Sequence, residues 1–230
     1  DGSIAVQARE VVSETDFLLN LAKTHHSIRG VVGWIDLCAD DVEAVLESYY
    51  GNPKLKGFRM LIHDRVNVDF ADSISHLNGV SLLNKYNFTY DLLLRTIHLP
   101  SAIRLVQKLP NQPFVVDHIA KPAMDGSDLV AWKLGIKELS TYPNVMCKLS
   151  GLVTEADWEN WHASDFTMYL DFVLEAFGAD RLMVGSDWPV CTVAADYIAT
   201  MNITDEWASK LSSDEQSLIL GETCAKFYSV

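Results

Sequence analysis

A histidine, a lysine and an aspartate stand where three apolar runs of this chain stop. Phe114-Val-Val-Asp117-His118-Ile-Ala-Lys121-Pro122 turns polar at Asp117 and His118. Val145-Met-Cys-Lys148-Leu-Ser150-Gly151 carries Lys148, and Arg181-Leu-Met-Val-Gly185-Ser186-Asp187-Trp188-Pro189 ends on Asp187. Histidine and aspartate can pass protons to and from a reacting group, and both can ligate a metal. Each run is rich in Val, Ile or Leu, as a parallel strand buried on both faces must be. A (β/α) barrel assembles its active site from residues at the carboxyl ends of several strands. The pattern implies an enzyme.

Strand-like and helix-like stretches alternate along the whole chain. Ser3–Ala8 leads to a helix from about Ser13, where Ser13-Glu-Thr-Asp16 has the spacing of a capping box. Val31–Leu37 precedes a helix over Asp40–Tyr50, and Lys56–Ile62 precedes one over Phe70–Tyr86. Phe88–Leu94 is followed by a helix opened by Pro100 and closed before Pro110. Phe114–Ile119 leads to a helix over Asp128–Tyr142, and Val145–Ser150 to one over Asp165–Phe177. Arg181–Asp187 is last, trailed by helices near Val193–Met201, Asp205–Leu211 and Asp214–Tyr228. Such alternation means βαβ units and a parallel sheet. No Gly-x-Gly-x-x-Gly follows the first strand, so a dinucleotide-binding sheet loses its main support. The expected fold is an α/β (β/α)8 barrel, a single domain over residues 1–230. Seven units are legible where a full barrel has eight.

The 230 residues, 49% hydrophobic and 21% charged, describe a globular chain. A net charge of −13, from 18 Lys+Arg against 31 Asp+Glu, argues against nucleic acid or an anionic membrane as partner, since both need basic patches. The expected partner is a small-molecule substrate. No apolar run approaches the roughly 18–20 residues of a membrane span. The four cysteines, Cys38, Cys147, Cys191 and Cys224, form no Cys-x-x-Cys pair. They read as free thiols, Cys147 and Cys191 as buried ones, which implies a reducing, cytoplasmic compartment. The chain opens at Asp1 without an initiator Met and enters a strand-like run almost at once, so its natural start is expected upstream.

The runs His118-Ile-Ala-Lys121-Pro122, Lys148-Leu-Ser-Gly-Leu-Val-Thr-Glu155 and Gly185-Ser-Asp187-Trp188-Pro189 resemble the amidohydrolase-related family. The branch they resemble most is that of metal-dependent hydrolases such as the L-fuconolactonases, the L-rhamnono-lactonases and 2-pyrone-4,6-dicarboxylate lactonase. Gly33-Trp34-Ile-Asp36, Lys56-Gly57-Phe-Arg59 and the ending Ile219-Leu-Gly-Glu-Thr-Cys-Ala-Lys-Phe-Tyr228 match as well, so the resemblance spans nearly the whole chain. It implies a barrel hydrolase of carbohydrate metabolism acting on a small cyclic ester, a sugar-acid lactone above all. Members of the family begin with a strand ending in His-x-His. This chain has none, and His25-His26, at the end of a predicted helix, reads as surface. The family's first strand is expected upstream, within about 40–60 residues, enough to reach ordinary barrel length.

Asp187 and His118 are the expected catalytic pair. Asp187, at the end of the last apolar run, can take a proton from water attacking an ester carbonyl. A carboxylate there could instead be a helix cap or an ion-paired strand end. Alternation along the strand sends Asp117 and His118 to opposite faces. The resemblance puts His118 in the pocket and leaves Asp117 facing the helices. Arg59, mid-run in its strand, needs a partner: it pairs with Asp36 or Asp91, or it offers its fork to substrate. Asp91 reads as structural. Trp34 and Trp188 read as apolar walls for a sugar ring or as ordinary packing, Lys148 as reaching substrate or capping a neighbouring strand, and His63 and His98 as rim contacts. His118 and Asp187 would hold a divalent ion such as zinc only with the His-x-His restored, so none is expected in this chain. Two rival functions stay open: a metal-dependent decarboxylase of the same superfamily, and a truncated barrel without catalysis.

Overall fold

The computed structural model describes residues 2–230. Seven strands lie side by side in chain order, all parallel: β1 (Ser3–Val6), β2 (Ile28–Gly33), β3 (Leu55–Met60), β4 (Thr89–Leu92), β5 (Phe114–Val116), β6 (Val145–Leu149) and β7 (Leu182–Val184). Helices cross over between them: α1 (Val12–Thr24), α2 (Val42–Tyr49), α3 (Ile74–Leu83), α4 (Leu99–Lys108), α5 (Leu129–Leu139) and α6 (Ala163–Phe177). After β7 come α7 (Tyr197–Ala208), α8 (Ser213–Ser217), a π-turn over Leu218–Glu222, and α9 (Thr223–Tyr228). This is the curved sheet of a partial (β/α) barrel. Among the described residues β1 and β7 each pair on one side only.

The two faces of the sheet follow from the period of two along each strand. Val31, Phe58, Tyr90, Leu92, Phe114, Val116, Cys147 and Leu182 point outward into the large core shared with the helices. Val32, Val115 and Met183 point the other way and meet Tyr228 of α9 in a smaller inner cluster. The same parity turns Arg59, Asp91 and Lys148 inward. Arg59 lies beside Asp91, Asp91 beside Val115, and Lys148 beside Met183. Pro100 stands in the first turn of α4, where its missing N–H costs nothing. Gly178 closes α6 at φ 75°, a conformation suited to glycine.

Several boundaries differ from those read in the sequence. β2 starts at Ile28, because backbone pairing with β1 begins at Ile28 and resumes at Gly30 past a register shift, whatever the side chains. Trp34–Leu37 has left the sheet. Ser13 is inside the first turn of α1 and caps nothing. Glu14 instead reaches back to accept from the backbone N–H of Ala8 at 2.6 Å and of Arg9 at 3.2 Å. The two helices expected over Val193–Leu211 are one, α7, capped by Asp196 and carried through its middle by buried Ile203 and Thr204. All four cysteines are free thiols, Cys147 and Cys191 buried, and His25 and His26 are exposed. No helix among the described residues is long and apolar enough to cross a membrane.

Candidate active site

Four charged side chains inside the sheet form one buried network. Lys148 Nζ on β6 donates to Asp91 Oδ2 on β4 at 2.5 Å and lies 2.7 Å from Asp117 Oδ1. Arg59 Nη1 on β3 donates to Asp117 Oδ2 at 2.7 Å, and Nη2 donates to the Gln7 carbonyl. Gln7 returns a bond from Nε2 to the Arg59 carbonyl at 3.0 Å. Tyr228 closes the network from below, its hydroxyl donating to Asp91 Oδ2 at 2.9 Å. Two cations thus face two carboxylates. Burial would raise the Asp117 carboxyl, but Lys148 and Arg59 outweigh it and hold Asp117 well below the usual carboxylate range. Burial would likewise lower the Lys148 ammonium, and Asp117 and Asp91 raise it instead. Paired charges tolerate burial where single ones do not.

Asp117 therefore faces the barrel interior, not the helices as the sequence suggested. Val115 points inward, and a residue two positions on shares its face. His118 would then point outward, were the strand to continue. It does not. β5 stops at Val116, and His118, Ile119, Ala120 and Lys121 all take positive φ, at 53°, 48°, 63° and 46°. Left-handed backbone costs a non-glycine residue roughly 1–2 kcal/mol, and such strain gathers at functional sites. Trp132 on α5 holds the turn, its indole N–H donating to the Ile119 carbonyl at 2.7 Å. Ile119 and Ala120 are fully buried. The reversal brings His118 to the inner side as well.

His118 and Asp187 meet at the carboxyl ends of the strands. His118 Nδ1 is 2.8 Å from Ser150 Oγ, and Nε2 is 3.5 Å from Asp187 Oδ1. Gly151, at φ 62°, leaves room for the ring: a Cβ there would lie 2.7 Å from His118 Cγ. Burial pushes the His118 imidazole down to about 3, so it is neutral near pH 7. Burial pushes the Asp187 carboxyl up to about 6; Lys121 and Arg59 oppose the rise, and Asp117 and Glu155 add to it. Asp187 Oδ2 is buried without a hydrogen-bond partner. A half-satisfied carboxylate with that affinity for protons is suited to general-base work near neutrality.

Beside this pair lie three residues to which the sequence reading gave no role. Lys121 Nζ donates to Glu155 Oε1 at 2.5 Å, and Arg95 Nη1 donates to Glu155 Oε2 at 2.9 Å. All three line a cleft of about 520 Å³ that also takes in Trp161 and Asn160. Lys121 stands within the same motif run as His118, and Glu155 ends the run that begins at Lys148, which was the available signal; Arg95 lies in a loop with none.

The remaining candidates are dispersed. Arg59 is paired, but with Asp117 and not with Asp36 or Asp91, and both ends of its fork are engaged. Asp36 is exposed and accepts from the Cys38 N–H. Lys148 is held between two carboxylates. Trp34 packs against the outer core, its backbone fastened at both N–H and C=O to Thr15 Oγ1 of α1. Trp188 stands 63% exposed next to Asp187. His63 lies near Asp64 at 3.2 Å, driven down to about 4 by burial. His98 is not a rim residue: it is wholly buried, bonded to the backbone of Arg65 and Arg95. For zinc, His118 and Asp187 are two donors, whereas a catalytic zinc site takes three protein ligands. No group of three His, Cys, Asp or Glu side chains comes together among the described residues. The residues present do not make a zinc site.

The family model described as amidohydrolase matches residues 2–230. L-fucono-1,5-lactonase of Burkholderia multivorans is 41% identical over 239 residues, covering 99% of this chain and 80% of that protein. L-fucono-1,5-lactonase of Burkholderia ambifaria is 31% identical, with the same coverages. The crystal structure of an amidohydrolase from Burkholderia multivorans with bound zinc superposes at a TM-score of 0.93 with 41% identity, covering 100% of this chain and 83% of that one.

Proposed function

Because the chain belongs to the amidohydrolase family, we propose that it is a hydrolase opening the ring ester of a sugar-acid lactone. Similarity to two L-fucono-1,5-lactonases supports the substrate class. The observation that carries the chemistry is the Asp187 carboxylate. It stands at the carboxyl end of β7, beside neutral His118, with Oδ2 buried and unpartnered.

In this reading Asp187 takes a proton from water as the oxygen attacks the lactone carbonyl carbon. The ring C–O bond then breaks, and Asp187 returns its proton to the departing alkoxide. His118, fixed by Ser150 on one nitrogen and by the wall of Gly151, orients water or carbonyl with the other. Arg59 and Lys148 act behind it: they neutralise Asp117 at the root of the left-handed turn and so fix where His118 stands. Exposed Trp188 offers an apolar wall to a sugar-ring face. No step is routed through a metal, since the described donors do not complete a site.

Ring opening of a lactone releases a proton, so an indicator or pH-stat assay against L-fucono-1,5-lactone and other aldonolactones tests the proposal. Turnover abolished in Asp187→Asn is the expected result. No turnover on any sugar lactone overturns it, and carbon dioxide release from an aromatic acid would point to decarboxylation instead.

A further inference from the structure

We infer that Lys121 is the catalytic residue that meets the lactone carbonyl oxygen as it becomes an oxyanion, an assignment that rests on the hydrolytic reading above. The other interior cations are committed: Lys148 to Asp91 and Asp117, Arg59 to Asp117 and the Gln7 carbonyl. Arg59 Nε is buried without a partner, but neither Arg59 nor Lys148 lines the cleft where substrate would sit. Lys121 closes the left-handed turn that starts at His118, at φ 46°. That costly backbone carries its side chain to the cleft wall, where the side chain is only 10% exposed. Glu155 engages one N–H of the ammonium at 2.5 Å, and an ammonium has three donors. Glu155, itself anchored by Arg95, is thus a positioning residue that keeps Lys121 from swinging out to water.

Lys121 also joins the two parts of the site. Its side chain lines the cleft, which Asp187 and His118 do not, and its backbone N–H donates to the His118 carbonyl at 2.8 Å. A lactone seated in the cleft with its carbonyl toward Asp187 presents the oxygen to Lys121. Water then adds to the carbonyl carbon, its proton passes to Asp187, and the C=O electron pair moves onto the oxygen, which accepts from Lys121 Nζ. Collapse restores C=O and breaks the ring C–O bond, and the alkoxide takes the proton from Asp187. No oxidant or second substrate enters.

The test compares wild type with Lys121→Met, and with Lys121→Met/Glu155→Gln in case Glu155 without its partner impairs folding. Removing one oxyanion donor costs about 10²–10³ in kcat, so kcat should fall at least about a hundredfold with KM within about threefold. Two inhibitors give a readout apart from turnover. Affinity for a cyclic phosphonate, an anionic mimic of the tetrahedral intermediate, should weaken about a hundredfold, while affinity for the neutral lactam of the same ring stays within about threefold. A folded variant keeping more than a third of wild-type kcat, or weakening phosphonate and lactam equally, overturns the assignment and leaves Asp187 as base untouched. A wild type inert toward all sugar lactones overturns the hydrolytic reading, and this inference with it.

Discussion

His118 Nε2 lies 3.5 Å from Asp187 Oδ1, and the two residues reach each other from strands that are not neighbours in the sheet. β5 and β7 are separated by β6, and Ser150, the bonding partner of His118, directly follows β6. Both residues hold positive φ, 53° at His118 and 55° at Asp187. The contact is therefore made by two turns that bend away from the strand direction.

Catalysis should follow the ionisation of Asp187. With its carboxyl at about 6, kcat/KM should rise tenfold per pH unit below that value and level off above it. His118, near 3, adds no inflection between pH 5 and 8. Asp187→Asn should lose at least about a hundredfold and also lose the rising limb. A pH–rate profile unchanged in shape would assign the base to another group.

The same substitution should stabilise the fold at neutral pH. The folded-state carboxyl is raised from 3.8 to about 6, so the fold favours the protonated form. That favourable contribution is complete below pH 3.8 and lost as pH rises through 6. At about 1.36 kcal/mol per unit the loss is on the order of 3 kcal/mol. Thermal melts should place Asp187→Asn above wild type at pH 7.5, with the gap closing below pH 4.

Gly151→Ala should damage activity while leaving the fold in place. Its Cβ would fall 2.7 Å from His118 Cγ and 2.8 Å from Nδ1, so the ring must move away from Ser150 and Asp187. A tenfold or greater loss in kcat/KM, about 1.4 kcal/mol, with an unchanged circular dichroism spectrum is the expected result.

Lys148→Met should be far more damaging to stability than any surface substitution. It leaves Asp91 and Asp117, both fully buried, with Arg59 as the remaining cation of the network. Breaking a buried ion pair from one side costs about 3–5 kcal/mol. Tyr228→Phe removes only the neutral donor to Asp91 and should cost about 1–3 kcal/mol. Urea unfolding of both variants measures the difference.

The seven parallel strands and their helices were legible because a strand buried on both faces must be a short apolar run, and Phe114–Val116, Val145–Leu149 and Leu182–Val184 are such runs. Asp187 and His118 were legible as candidates, Asp187 because it closes an apolar run and His118 because of the family motif in which it stands. What the tertiary structure decided was every pairing across strands: Arg59 with Asp117, Lys148 between two carboxylates, Tyr228 beneath Asp91, Lys121 on Glu155. Those partners are 31 to 137 residues apart in the chain, so no local period records them. Asp117 and His118 show the division most clearly. Alternation forbids adjacent residues the same face of a strand, and only the left-handed turn, held by Trp132 from a helix 13 residues on, lets both enter the barrel.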